Sequence, residues 1–112
     1  MENYKLVMPE HLNQYGFLFG GHLLMWVDEV AWIAATLAFP DCRFVTVAMD
    51  SVEFKKGVRE GTILRFTVDN CRKGRTSVTW EVRVWREQEE IFSNHVTLVR
   101  IDENGEKTTL PS

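Results

Sequence analysis

Three things are scarce in this 112-residue chain: cysteine, basic charge in excess, and any long apolar run free of charge. The two cysteines, Cys42 and Cys71, stand at no metal-ligand or disulfide-framework spacing. Both read as free thiols, small buried hydrophobes rather than nucleophiles, since no base lies near either in sequence. Thirteen basic residues against sixteen acidic ones, a formal charge of −3, leave no basic stripe for nucleic acid or an anionic membrane. The start, Met1-Glu2-Asn3-Tyr4-Lys5, has no basic region followed by a long apolar core, so a cytoplasmic protein is expected. The most apolar stretch carries Asp28 and Glu29 at its centre, each costing about 3 kcal/mol in lipid, which excludes a membrane span. His11, His22 and His95 are too scattered for a metal site, and none has a Ser or Cys partner at a recognisable spacing. No metal and no cofactor is expected, and no internal repeat or low-complexity segment interrupts the chain.

What is present is one dominant stretch, residues 13 to 39. Good helix formers and large apolar residues run from His22 to Phe39, and Pro40 stops them, which predicts a helix over about residues 20–38. Leu23, Leu24, Met25, Trp26, Val27, Val30, Trp32, Ile33 and Leu37 fill every rotation of a 3.6-residue wheel, so the helix is expected to be buried nearly all round. A chain of this length makes one domain, residues 1–112, and leaves part of such a helix uncovered in a monomer; association is expected.

Around the helix the pattern is β. Tyr4–Met8 predicts a short edge strand closed by Pro9, and residues 9–21 a loop with turns at Gly16, Gly20 and Gly21. Arg43 to Phe54 reads as one long strand and Lys55 to Gly61 as a polar connection. Leu64, Phe66 and Val68, then Val78, Trp80, Val82 and Val84, alternate with polar residues on two strands joined by a tight turn at residues 72–75. Ile91 to Ile101 is the last strand, and Asn104-Gly105 opens a tail (105–112) expected to be flexible. The class is α+β: an antiparallel sheet whose long strands curl around one helix.

The chemistry sits on that helix. Its first amides lack internal acceptors and lie at the positive end of the dipole, and glycine permits close approach to the backbone. Gly20-Gly21 therefore suits an oxyanion, although tight packing at a helix start explains the pair as well. Asp28 has no cation at i±3 or i±4, where Leu24, Met25, Ala31 and Trp32 stand, so an acid among apolar neighbours points to function; Glu29, about 100° round the helix, is the second candidate. Gly20 and Asp28 are eight residues, about 12 Å, apart along the helix. One reacting centre cannot be touched by both, so if both act, the amides of one subunit serve the acid of another.

Asn13, Gly16, Phe19-Gly20-Gly21, a six-residue gap and Asp28-Glu29, with Val52-x-Phe54 and Gly74-Arg75-Thr76-Ser77 further on, resemble the hotdog-fold acyl-CoA thioesterases over nearly the whole chain. The resemblance implies a curved sheet around a central helix and Asp28 as general base or nucleophile on the thioester carbonyl. It also implies Asn13 as a residue holding water or substrate, Gly20 to His22 as the donors that polarise the thioester oxygen, and a homo-oligomer, either a dimer or a dimer-based tetramer or hexamer. Phe19 and His22 would line the site. The phosphates of coenzyme A would meet the hairpin of Arg72, Lys73, Gly74, Arg75, Thr76 and Ser77, or else Lys55, Lys56 and Arg59. The phenylacetate-degradation branch shares the glycine pair and spacing but usually has histidine where Phe19 stands, and Asp28-Glu29 is more similar to the acyl-CoA hydrolase branch. A non-catalytic acyl-CoA-binding or sensing module would use the same pocket. A hotdog dehydratase would need a histidine beside an acid in a different motif.

Overall fold

The computed structural model describes residues 1–111. Five strands, β1 (Glu2–Leu6), β2 (Arg43–Met49), β3 (Ile63–Lys73), β4 (Ser77–Arg86) and β5 (Glu89–Ile101), and one long helix, α1 (Gly20–Ala38), account for most of it, with a single 3-10 turn at Pro9–His11. All strand pairings are antiparallel, in the order β1-β3-β4-β5-β2, so β1 and β2 are the two edges. The sheet curls around α1, the hotdog architecture. None of its helices is long and apolar enough to cross a membrane.

Alternation decides the faces. Leu64, Phe66 and Val68 on β3, Val78, Val82 and Val84 on β4, and Phe92, Val96 and Leu98 on β5 point inward and are buried. Pairs such as Phe66 with Val84 and Val78 with Leu98 stack these residues rung by rung beneath the helix. Irregular registers between Asp69 and Arg72, Thr46 and Ala48, and Val84 and Trp85 add the bend that strands of 10 to 13 residues need to curl. Cys71 sits exposed at the first of these irregularities, contrary to the expected buried thiol, while Cys42 is half-buried.

Three expectations need correction. Within one chain α1 is not buried all round: Leu23, Trp26, Val27, Val30, Ala31, Ala34 and Ala35 face the sheet, whereas Met25, Trp32 and Leu37 stand 53%, 44% and 68% exposed. The small side chains Ala31, Ala34 and Ala35 let the helix settle closely on the sheet, so the larger residues turn outward. The second strand ends at Met49 rather than Phe54. There the Asp50 carboxylate accepts from the His95 amide at 2.5 Å, Ser51 adopts φ +46°, and residues 51–57 leave the sheet as an exposed loop that returns to the helix start. The C-terminal segment is not a free tail. Asp102 caps a turn by accepting from the amides of Asn104 and Glu106, Thr108 N donates to Arg100 O, and Leu110 is buried with its amide on Arg75 O. This returning segment covers apolar surface that a 112-residue fold would otherwise leave wet.

Candidate functional site

The approach to α1 is built by Asn13. Its side-chain oxygen accepts from the amides of Tyr15 at 2.9 Å and Phe17 at 3.1 Å, an Asx turn closed by Gly16 at φ +85° and by Asn13 N on Phe17 O. The carboxamide oxygen is thus engaged within the loop, and the NH2 group is what Asn13 has left to offer. Phe19 N then donates to His11 O, and Phe19 O accepts from both His22 N and Leu23 N. Among the described residues the amides of Gly20 and Gly21 take no acceptor. His22, expected among the donors, is removed from that set because its amide is satisfied.

Asn13 and Gly20 share one cavity of about 330 Å³ with Phe17, Leu18, Leu23, Phe54, Lys55, Lys56, Gly57 and Val58. Loop 51–57 forms its outer wall. A Cβ on Gly20 would lie 3.0 Å from the Phe54 ring, and one on Gly21 2.8 Å from the Phe19 ring, so both glycines are needed for these aromatic side chains to lie on the backbone. Phe54 in turn stacks on Phe92, centroids 5.9 Å apart. Lys56 pairs with Glu89 at 2.6 Å, and Arg59 lies over the Phe17 ring. Lys55 forms no ion pair among the described residues.

His22 is absent from this cavity. Its ring lies 4.7 Å from that of His11 and edge-on to Trp26, where His11 Nδ1 accepts from Met8 N. The pair is a packed corner under the loop. The hairpin is further still. Lys73 Nζ donates to Pro111 O and lies over Phe39, at the far end of α1, about 27 Å along the helix from Gly20. Gly74 N donates to Ser77 O, a Cβ on Gly74 would strike Ser77 Oγ, and the carbonyls of Arg75 and Thr76 accept from Leu110 N and Arg100 N. Within one chain, Arg72 to Ser77 and the helix start do not share a site.

Asp28 occupies a second place, a groove of about 470 Å³ between α1 and the free edge β2, lined by Met25, Asp28, Glu29, Trp32, Phe44, Val45 and Thr46. Thr46 Oγ1 donates to Asp28 Oδ1, and Trp32 Nε1 donates to Phe44 O at 3.1 Å, pinning the helix to the strand. Oδ2 of Asp28 has no hydrogen-bond partner among the described residues. Glu29 lines the same groove, but its carboxylate is held in an ion pair with Lys5 at 2.7 Å. Thr46 was not singled out from sequence. Its signal was the inner-face alternation Phe44, Thr46, in which a polar residue stands where an apolar one is due.

Residues 15–93 match the family model of the thioesterase superfamily. The chain belongs to that superfamily. It is 34% identical over 112 residues to an uncharacterized acyl-CoA thioester hydrolase of Zymomonas mobilis, covering 95% of this chain and 74% of that protein. A hexameric broad-specificity acyl-coenzyme A thioesterase superposes with TM-score 0.89 at 28% identity, covering 98% of this chain and 80% of the other. An acyl-CoA hydrolase variant from Staphylococcus aureus, solved with coenzyme A, superposes with TM-score 0.84 at 25% identity, covering 100% and 70%.

Proposed function

We propose that this thioesterase hydrolyses acyl-CoA thioesters to the free acid and CoA as a homo-oligomer, at sites shared between two copies of the chain. The observation that carries the reading is a division of labour along α1. Free amides at Gly20 and Gly21 stand at one end, and a carboxylate with one oxygen unengaged stands about 12 Å along, on a face that the chain itself leaves open. The thioester oxygen accepts from Gly20 and Gly21, where the helix dipole favours the charge that grows during attack. Asn13, which lines the same cavity as Gly20, offers its NH2 group there. Asp28 of a second copy takes a proton from water; the hydroxide adds to the carbonyl carbon, the C–S bond breaks, and the CoA thiolate leaves and is protonated. Asp28 acting as nucleophile gives the same products through an anhydride that water then opens. Thr46 fixes one carboxylate oxygen and leaves the other for either role.

Several observations support this. Of the two acids that line the groove, Glu29 is held by Lys5, while Asp28 keeps one oxygen unengaged among the described residues. Solved variants of the relatives replace an aspartate in the broad-specificity thioesterase and an asparagine in the Staphylococcus enzyme, the residue types of Asp28 and Asn13. The broad-specificity thioesterase is hexameric, and Met25, Trp32, Val45 and Val47 form the apolar surface that a second copy would cover here. For the CoA phosphates the cation at the cavity is Lys55, because Lys56 and Arg59 are engaged and the hairpin lies at the other end of the same chain.

Subunit exchange tests the shared site. Asp28→Asn and Asn13→Asp, the latter chosen because it keeps the oxygen that Tyr15 and Phe17 need while removing the NH2, should each be nearly inactive. Mixed and exchanged, half the dimers are heterodimers with one intact site, so activity should return to about a quarter of wild type by two-fold counting. Proven exchange without recovery would place Asn13 and Asp28 in one chain's site. Intact acyl-CoA binding without thiol release by the wild type would make the protein a binding module.

A further inference from the structure

We infer that the acyl pocket of this protein accepts a chain bearing a hydroxyl or keto group, recognised by Asn94. The inference rests on the thioester site proposed above. Asn94 is the one buried polar residue among those described, 3% exposed on the inner face of β5, and neither its Nδ2 nor its Oδ1 has a hydrogen-bond partner among the described residues. Its inner-face neighbours are Phe92 and Val96, and the residue across the ladder is Val82. One rung away, opposite Val96, Trp80 likewise holds a buried indole Nε1 without an acceptor. A leucine or valine at 94 would fill such a place without leaving two polar groups desolvated, and every other fully buried side chain on β3, β4 and β5 is apolar.

The stack of Phe54 on Phe92 joins this spot to the reacting end. Phe54 lies on Gly20 and stacks on Phe92, and Asn94 follows two residues, about 7 Å, further along the same strand face. An acyl chain whose carbonyl sits at Gly20 and Gly21 enters by displacing Phe54, which is 53% exposed on a surface loop, lies along Phe92 and reaches Asn94. The chemistry there selects the substituent. An amide donor and acceptor beside an indole donor satisfy a neutral hydroxyl or carbonyl oxygen, while the surrounding Val and Phe side chains offer no counter-charge for a carboxylate or an amine.

The test uses plain octanoyl-CoA and a set carrying one hydroxyl at each carbon from the third to the eighth. Wild type should prefer one of the hydroxylated chains over the plain one by about fivefold or more in kcat/KM, the worth of one net hydrogen bond. Asn94→Leu should bring that ratio to one or below. In the Asp28→Asn protein, the preferred hydroxyacyl-CoA should shift the Asn94 side-chain NH2 resonances and octanoyl-CoA should not, a readout that needs no substitution at position 94. Hydrolysis of every chain with no hydroxyl preference, or a preference that survives Asn94→Leu, overturns the inference and leaves the thioesterase reading standing. Absence of hydrolysis for all of them defeats that reading and this inference together.

Discussion

The two halves of α1 differ in what the chain does with them. At the N-terminal end everything is supplied locally: the Asn13 turn, the bare amides of Gly20 and Gly21, and a roof of Phe54 and Lys55 close a cavity from one chain. Eight residues on, Asp28 faces a shallow groove on an open apolar surface with only Thr46 as company. One end of the helix is enclosed by its own chain and the other is left open. If the site is divided as proposed, activity depends on assembly, because neither half alone holds donors and base within about 3 Å of one carbon.

The strongest way to break this comparison is at the acid. Asp28→Asn keeps the size and the Thr46 hydrogen bond, so circular dichroism and melting should be nearly unchanged while kcat falls by about 10²- to 10⁴-fold. Glu29→Gln removes a half-exposed ion pair with Lys5, worth about 0–1 kcal/mol to stability, and kcat should stay within about twofold. The reverse pattern would move the acid to Glu29.

The donor half is sharpened by a double substitution. A Cβ on Gly20 meets only the far end of the exposed Phe54 ring, so Gly20→Ala should fold, with kcat/KM lowered about tenfold because substrate can no longer reach the amide closely. If Gly20 matters only as packing under Phe54, adding Phe54→Ala restores activity. If it matters as a donor surface, the double variant stays impaired.

A smaller effect is expected at Lys55. Lys55→Ala should raise KM for CoA thioesters severalfold while leaving pantetheine thioesters, which lack the nucleotide phosphates, unaffected, and salt should erase the difference. The same comparison with Arg72→Ala should show none; an effect there instead would place the phosphates at the hairpin of a neighbouring copy.

The helix bounds, the existence of five strands and the inner faces of β3 and β4 were legible because they are local: periodicity, Pro40 and turn residues decide them, although the first strand, expected over Tyr4–Met8, lies at Glu2–Leu6. The end of β2 was not. Residues 50–54 have β-like composition, and only the reach of Asp50 to His95, 45 residues away, turns the chain out of the sheet. The return of Leu110 to Arg75 was hidden for the same reason, since a polar tail reads as solvent-exposed until a partner strand exists. At the site, the acid and the glycines could be picked out by their departure from helical apolarity. Which end of the helix the hairpin and the lysines occupy depends on strand order, which residue spacing does not encode. Thr46 shares the inner face of β2 with Phe44, and its contact with Asp28 depends on how the helix lies against that strand.

The smallest effect concerns the roof of the donor half. Loop 51–57 is held at its far side by Lys56, which hydrogen-bonds Glu89, while Arg86 grips the same carboxylate and donates to Gly57 O. The Lys56 hydrogen bond first, then that of Arg86, holds the Glu89 carboxyl below its usual value of 4.5. A carboxylate depressed in the folded state stabilises above its unfolded pKa and loses that contribution as pH falls through the folded value, so the loop should loosen below about pH 4.5 and not above it. Asp50, at the loop's other end, changes in the same sense: burial pushes it up, but hydrogen bonds from the His95 amide and ring more than offset this, leaving it below its usual 3.8. Amide exchange in residues 51–57 relative to that of β4, followed from pH 6 to pH 3.5, should rise in wild type. In Glu89→Gln the pH 6 rate should already be raised and the remaining rise should begin lower, where Asp50 protonates. An unchanged profile in Glu89→Gln would mean that the roof is held by Phe54 stacking on Phe92 alone, and that charge has no part in covering the donor half.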